Sequence, residues 1–476
     1  TATTEIYTLS LHDSLPISPS DRRFLDPAYL DVTRIPGLAD APLARETLLR
    51  LAPRFAALES GGAVDWTGAW AAKRTVLEAA FNAFERRAPE DALRQRFERF
   101  VQDGGEALRH FATFEAIAEL HPGIDRFAWP EPLRDAAHPQ VAAFAEAHAG
   151  AVRFSQYLQW LADRQLGDAA RAARSGGLEI GFYRDLAVGC APDGAEAWTQ
   201  PGLFARGASV GAPPDLLCRD GQVWCLPPPI PHAMAGGGYA GFRALMAANM
   251  RHAGALRIDH AMGLARLFWV PDGATGAEGA YVHHPFDDLL AALALESERA
   301  QCLIVGEDLG TVPEGFRERM EAAGVLSTRV LYFERDAKGF VPPTAWPANA
   351  AACVSTHDLP TLAGWWQGND IEEREALGLV TPGEAQADWQ ARAQDKRDLA
   401  EAIAAQGLER IDPDSPQVPV RAVHAFLERT PCALVLLQAD DLAGETVALN
   451  VPGTDRERPN WRRRLAVKAA DLWEPR

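Results

Sequence analysis

The stretch ALRIDHAMGLARLFWVP, Ala255–Pro271, poses the question that decides the fold. It begins as a buried strand, apolar at Leu256 and Ile258, yet Arg257, Asp259 and His260 stand among the apolar residues. Side chains alternate faces along a strand, so Arg257 and Asp259 project to the same side, two residues apart. A guanidinium beside a carboxylate favours the ionised acid. A short apolar run ending in such a pair reads as a barrel strand that carries charge to the C-terminal mouth of the barrel.

Five further runs share this texture: LEIGFYRDLAVG, CLIVGEDLG, STRVLYFE, AACVSTHDL and CALVLLQADDL. Helix-like segments such as PFDDLLAALALESERA and EGFRERMEAAG separate them. Near-continuous apolar strands alternating with helices predict a parallel sheet covered on both faces. Six such units in series fit an α/β fold of the (β/α)8 TIM-barrel type better than two Rossmann halves. No GxGxxG or GxxxxGK[ST] follows any of the strands, which argues against nucleotide binding. Two more strands are needed to close a barrel, and they are expected to lie before residue 18. The Pro- and Gly-rich stretches CLPPPIPHAMAGGGYAGF and FVPPTAWPANAA read as long loops at strand ends.

From about Leu48 to Gln165 the apolar spacing is instead three and four residues, as in AKRTVLEAAFNAFERR and EALRHFATFEAIAELH. This predicts a helical subdomain or insertion. Residues 1–17 lack the basic start and apolar run of a signal peptide. Tyr7–Ile17 differ only at Ser14 from one translated frame of a common sequencing adapter, so 1–17 read as a non-native tail. The expected organisation is therefore a tail over 1–17, an entry segment with the helical subdomain over 18–170, and barrel strands with their loops over 171–476.

With 476 residues and 47% apolar content, the chain can bury a large core. A formal charge of −18 argues against nucleic acid or an anionic membrane surface as the main partner. No run approaches the ~18 apolar residues of a membrane helix. Six scattered cysteines, with no CxxC pair, read as reduced thiols of a cytoplasmic protein.

Four of the strand-like runs end in an acid: Asp185, Asp259, Glu307 and Asp358. A single acid after a strand is often only the N-cap of the next helix, a role open to Asp185 and to Asp308. Acids paired with His or Gly at successive strand ends point instead to a site. His260, His357, Asp259 and Asp358 could in principle hold a divalent ion, but no HxH or HExxH spacing supports a metal. Paired carboxylates without metal ligands suit glycosidic-bond chemistry, in which one ionised acid attacks and a protonated one serves the leaving oxygen. Thirteen tryptophans would suit sugar stacking, although most of them are expected in the core.

The motifs LRIDH, GEDLG and STHD, in this order and about fifty residues apart, resemble those of the 4-alpha-glucanotransferases (amylomaltases) of glycoside hydrolase family 77. The similarity runs from SPSDRRFLDPAYLDV near Ser18 to NVPGTDRERPNWRRRL. The resemblance implies a barrel of the alpha-amylase clan, a retaining mechanism and no cofactor or metal. It implies maltooligosaccharide donors and acceptors as the partners, and it fixes no oligomeric state. By matching motifs, Asp259 would be the nucleophile, Glu307 the general acid and then base, and Asp358 the group that holds sugar hydroxyls. Arg257 would orient Asp259, and His357 would bind hydroxyls beside Asp358. Asp185, Asp215, Trp224 and Asn450 fall in segments that resemble the family's donor and acceptor loops. At QVWCLPP, Val223 and Cys225 flank Trp224, where the family has Asn or a variable residue before Trp and Gly after it. The family's first barrel strands would precede Ser18, so the resemblance implies an N-terminally truncated chain. An alpha-glucan hydrolase of the same clan and an inactive glucan-binding fragment are the alternatives.

Overall fold

A computed structural model describes residues 19–214, 220–454 and 457–472. It forms two compact units that divide between Ile304 and Val305.

The N-terminal unit opens with helices, as the three- and four-residue spacing predicts. They are α1 (Pro42–Ser60), α2 (Trp66–Phe84), α3 (Ala92–Leu120), α4 (Pro139–Ala147) and α5 (Ala149–Ser175). Asp65 and Asp91 cap α2 and α3 through backbone N–H groups of the first turn, to Gly68 and to Leu93 and Arg94. The buried stripes of α2 and α5 close on one another through Val76, Phe81, Phe84, Tyr157, Trp160 and Leu161.

Six strands follow in this unit: β1 (Tyr183–Leu186), β2 (Ala208–Ala212), β3 (Gln222–Leu226), β4 (Ala255–Ile258), β5 (Arg266–Pro271) and β6 (Ala280–His283). β1 and β4 are parallel, in a register that sets Asp185 opposite Arg257. Gly254 permits this approach, because a Cβ there would lie 1.4 Å from the Ile180 carbonyl oxygen. The other four strands form a separate antiparallel sheet in the order β3-β2-β5-β6.

The C-terminal unit is built on β7 (Leu303–Gly306), in which the division falls, then β8 (Leu326–Val330), β9 (Arg335–Asp336), β10 (Gly339–Phe340), β11 (Ala350–Cys353) and β12 (Leu434–Leu436). β7, β8, β11 and β12 lie parallel in that order, and β9 and β10 make a small hairpin. Helices pack over this sheet through Trp365, Trp366, Leu399 and Phe426.

All six apolar runs of the sequence are thus strands, and each pair formed within a unit is parallel. Three expectations need correction. CLPPPIPHAMAGGGYAGF is no continuous loop, since it begins in β3 and holds the helix Pro231–Gly236 and the start of Ala240–Met250. FVPPTAWPANAA likewise contains the 3-10 turn Pro343–Ala345 and the start of β11. The prolines mislead because Pro fits the first turn of a helix, where its missing N–H costs nothing. The opening stretch also holds two strands rather than one, since β5 belongs to the antiparallel sheet.

Candidate active site

In the N-terminal unit the polar residues of β1 and β4 form one ionic group. Arg257 donates from Nη1 to Asp185 Oδ2 at 2.7 Å and from Nη2 to Asp259 Oδ1 at 2.8 Å. All three side chains are largely buried, with exposures of 10% for Arg257, 17% for Asp185 and 22% for Asp259. The same-side placement of Arg257 and Asp259 follows from strand alternation, and that of Asp185 from the register. Asp185 sits within β1 rather than after it, and so is no helix cap. The main chain fixes Asp259 as well, since its N–H donates to the Leu186 carbonyl at 3.1 Å.

His260 follows in the left-handed region, at φ 46°, and starts a 3-10 turn over Ala261–Leu264. Burial, with the Arg266 charge nearby, pushes its imidazole down to about 4, so the ring is neutral at physiological pH. The Trp224 ring meets it edge-on at 5.3 Å between centroids. Trp224 lies on β3 and donates its indole N–H to Gln222 Oε1 at 2.9 Å. Asp215 lies outside the described residues.

In the C-terminal unit Glu307 directly follows β7 and is 9% exposed. Its Oε1 accepts from the Leu309 N–H at 2.7 Å. The next residue faces a different task. Asp308 accepts from Arg317 Nε at 2.6 Å, from the Ser327 hydroxyl and from the Thr328 N–H, tying the end of β7 to β8. Asp308 is therefore a tether between strands and not an N-cap.

Asp358 stands five residues past the end of β11. Asn450 Nδ2 donates to its Oδ1 at 2.6 Å, and His357 Nε2 lies 3.2 Å from its Oδ2. The loop that presents Asn450 is braced from within. Asn460 Oδ1 accepts from the Val451 N–H and from Arg458, and the Trp461 N–H donates to the Leu449 carbonyl. The Trp461 ring, at φ 61°, packs against His357 with centroids 5.1 Å apart. Sequence reasoning quoted this segment but did not single out Asn460 or Trp461; the signal was a Trp beside an Asn in an otherwise basic, turn-rich run.

Among the described residues no group of three or more His, Cys, Asp or Glu side chains is arranged to hold a metal ion. No disulfide joins the described cysteines, of which Cys190, Cys302 and Cys353 are buried. No helix among the described residues is long and apolar enough to cross a membrane.

The chain is similar to several known proteins. Curated 4-alpha-glucanotransferases of Mycobacterium tuberculosis are 40% identical over 459 residues, covering 94% of this chain and 62% of theirs. The 4-alpha-glucanotransferase of Haemophilus influenzae is 34% identical, with 96% of this chain and 68% of that protein covered. The chain thus spans about three fifths of the length of the mycobacterial relatives. The crystal structure of amylomaltase from Corynebacterium glutamicum superposes with a TM-score of 0.86 at 33% identity, over 98% of this chain and 66% of that one. Amylomaltase from Streptococcus agalactiae, solved in complex with acarbose, shares the fold at 19% identity and a TM-score of 0.76, over 98% of this chain and 88% of that one. These likenesses are consistent with a TIM-barrel-type fold. Residues 2–469 match glycoside hydrolase family 77, described as 4-alpha-glucanotransferase, and the chain belongs to that family.

Proposed function

We propose that the protein moves alpha-1,4-glucan segments between maltooligosaccharides by a retaining double displacement, on a (β/α)8 barrel of the alpha-amylase clan in which residues 18–170 supply the entry segment and helical subdomain. The observation that carries this reading is Arg257 held between Asp185 and Asp259 at the end of β4, in a chain of this family. A nucleophilic carboxylate must be charged and aimed. The guanidinium supplies the counter-charge, and the two strands supply the aim.

In the first step an Asp259 oxygen attacks the anomeric carbon of the donor, the bond to the leaving oxygen breaks, and Glu307 gives that oxygen its proton. In the second step Glu307 takes the proton of an acceptor hydroxyl, whose oxygen attacks the same carbon and releases Asp259. Two inversions return the original configuration. Asp358, oriented by Asn450 and His357, accepts hydrogen bonds from ring hydroxyls of the sugar in transit. Trp224 and Asp215 fall in segments that resemble the family's donor and acceptor loops.

Water competes with the acceptor hydroxyl for the same intermediate, so the product pattern is the test. The chain is incubated with maltotriose and the products are separated by chromatography. Transfer yields glucose and a ladder of longer maltooligosaccharides. Glucose and maltose without a ladder would mean hydrolysis and overturn the transfer reading, and no turnover at all would overturn both.

A further inference from the structure

Protein interiors are close-packed, and voids much larger than a water molecule are few. The N-terminal unit nevertheless holds a half-open cavity of about 300 Å³ at the end of β4, bordered by Ile258, Asp259 and His260. An apolar cavity of about 150 Å³ is enough to take up benzene. Most of this wall is apolar, contributed by residues such as Phe204, Met234, Leu245, Met246 and Leu264. Gly237 lies on its wall, and a Cβ added at either neighbour, Gly236 or Gly238, would meet nothing within 4 Å.

One polar atom of the wall stands out. His284 is 8% exposed and lines the cavity. Its Nδ1 lies 2.6 Å from the Gly263 carbonyl oxygen, an acceptor only, so Nδ1 carries the proton. Nε2 is then a bare acceptor, and it is buried with no hydrogen-bond partner among the described residues. Buried polar groups are almost always satisfied, and one that is not calls for a partner. The other charged groups of the wall are engaged. Arg22 and Glu196 hold each other at 2.6 Å, and Asp259 is held by Arg257.

We infer that this cavity is a binding site for a compact, uncharged hydrophobe bearing one O–H or N–H donor, of the naphthol or indole class, with His284 Nε2 as the acceptor. A sugar does not suit it, because each further hydroxyl would be buried against hydrocarbon without a partner. An anion does not suit it either, since Arg22, the arginine of its wall, is already committed to Glu196. The cavity shares Asp259 with the proposed glucan site, but the inference rests on His284 and the apolar wall and is tested by binding alone, so it can fail while the glucan reading holds.

The test is a calorimetric titration of the full chain with 2-naphthol and with its methyl isostere, 2-methylnaphthalene. Saturable binding of the naphthol at one site is expected, about fivefold tighter than the isostere, the usual worth of one hydrogen bond. In 15N spectra of the unmodified chain, the His284 Nε2 resonance should move on addition of naphthol and stay in place with the isostere. Ala233→Trp, at the wall near the rim, should abolish binding, and His284→Phe should erase the preference for the hydroxyl. Absent binding, equal affinity for the two probes, or an unmoved His284 resonance at saturation would each overturn the proposal.

Discussion

Arg257 and Asp185 face each other across the parallel pair β1/β4, and the same guanidinium that reaches Asp185 at 2.7 Å reaches Asp259 at 2.8 Å. Lysine offers a single point charge and cannot hold two carboxylates in a fixed fork. Arg257→Lys is expected to lower kcat on maltotriose by about a hundredfold or more, the size of loss that a misplaced reacting group causes. Added guanidinium should restore part of the activity of Arg257→Ala. Lack of rescue, with the fold intact by circular dichroism, would argue that Arg257 serves stability alone.

Roles for Asp259 and Glu307 can be separated by the leaving group. Asp259→Asn should abolish transfer with every donor while glucan binding persists. Glu307→Gln should be nearly inactive on maltotriose yet release fluoride from a maltosyl fluoride in a burst, because that leaving group needs no proton while the second step still lacks its base. Equal loss of Glu307→Gln activity on both donors would count against the acid role, and substantial transfer by Asp259→Asn would remove it from the nucleophile's place.

Asn450 donates to Asp358 at 2.6 Å. Hydrogen bonds to charged groups contribute about 1.5–3 kcal/mol. Asn450→Ala should therefore cost about ten- to a hundredfold in kcat/KM for maltotriose, with little change in the urea midpoint. A variant with wild-type kcat/KM would mean that Asp358 does not depend on this contact.

The helical part of the N-terminal unit should respond to pH. Burial, and then the charges of Asp26, Glu119 and Asp21, push Glu115 from an ordinary 4.5 up to about 8. Burial likewise raises Asp26 from 3.8 to about 7, against the Ala28 N–H and Lys73. Both groups keep protons in the folded chain that they lose on unfolding over the range between these values. Stability is therefore highest below the ordinary carboxylate range and is lost as pH rises through about 7 to 8. Urea midpoints between pH 5 and 8.5 should fall with pH, and Glu115→Gln should flatten the curve. An identical slope in the variant would refute the assignment to Glu115.

Much of this was legible in the residues because it depends on local pattern. Six apolar runs are six strands, and two-residue alternation alone placed Arg257 with Asp259. What escaped depends on contacts distant in sequence. RLFWVP pairs antiparallel with the nearby Ala280–His283, but its other partner, Ala208–Gly211, lies some sixty residues away and leaves no local mark. Glu307 and Asp308 are adjacent acids in GEDLG, and only the bonds from Arg317, Ser327 and Thr328 show which one is a strand tether. Proline and glycine around residues 225–242 mask two helices, since both residues also serve as helix starts and ends. The raised carboxyls of Asp26 and Glu115 could not be read at all, because desolvation is a property of the packed interior.

The sharing of one guanidinium by two carboxylates also constrains how this sequence can evolve. Positions 185, 257 and 259 form an epistatic unit: a change at one strands a buried charge on the others, so most single steps are dead ends. A library randomising all three together should return functional clones that keep Asp185, Arg257 and Asp259 as a set far more often than independent site preferences allow. The flanking positions Leu186 and Leu256, whose demands are only size and apolarity, should drift freely among aliphatic residues.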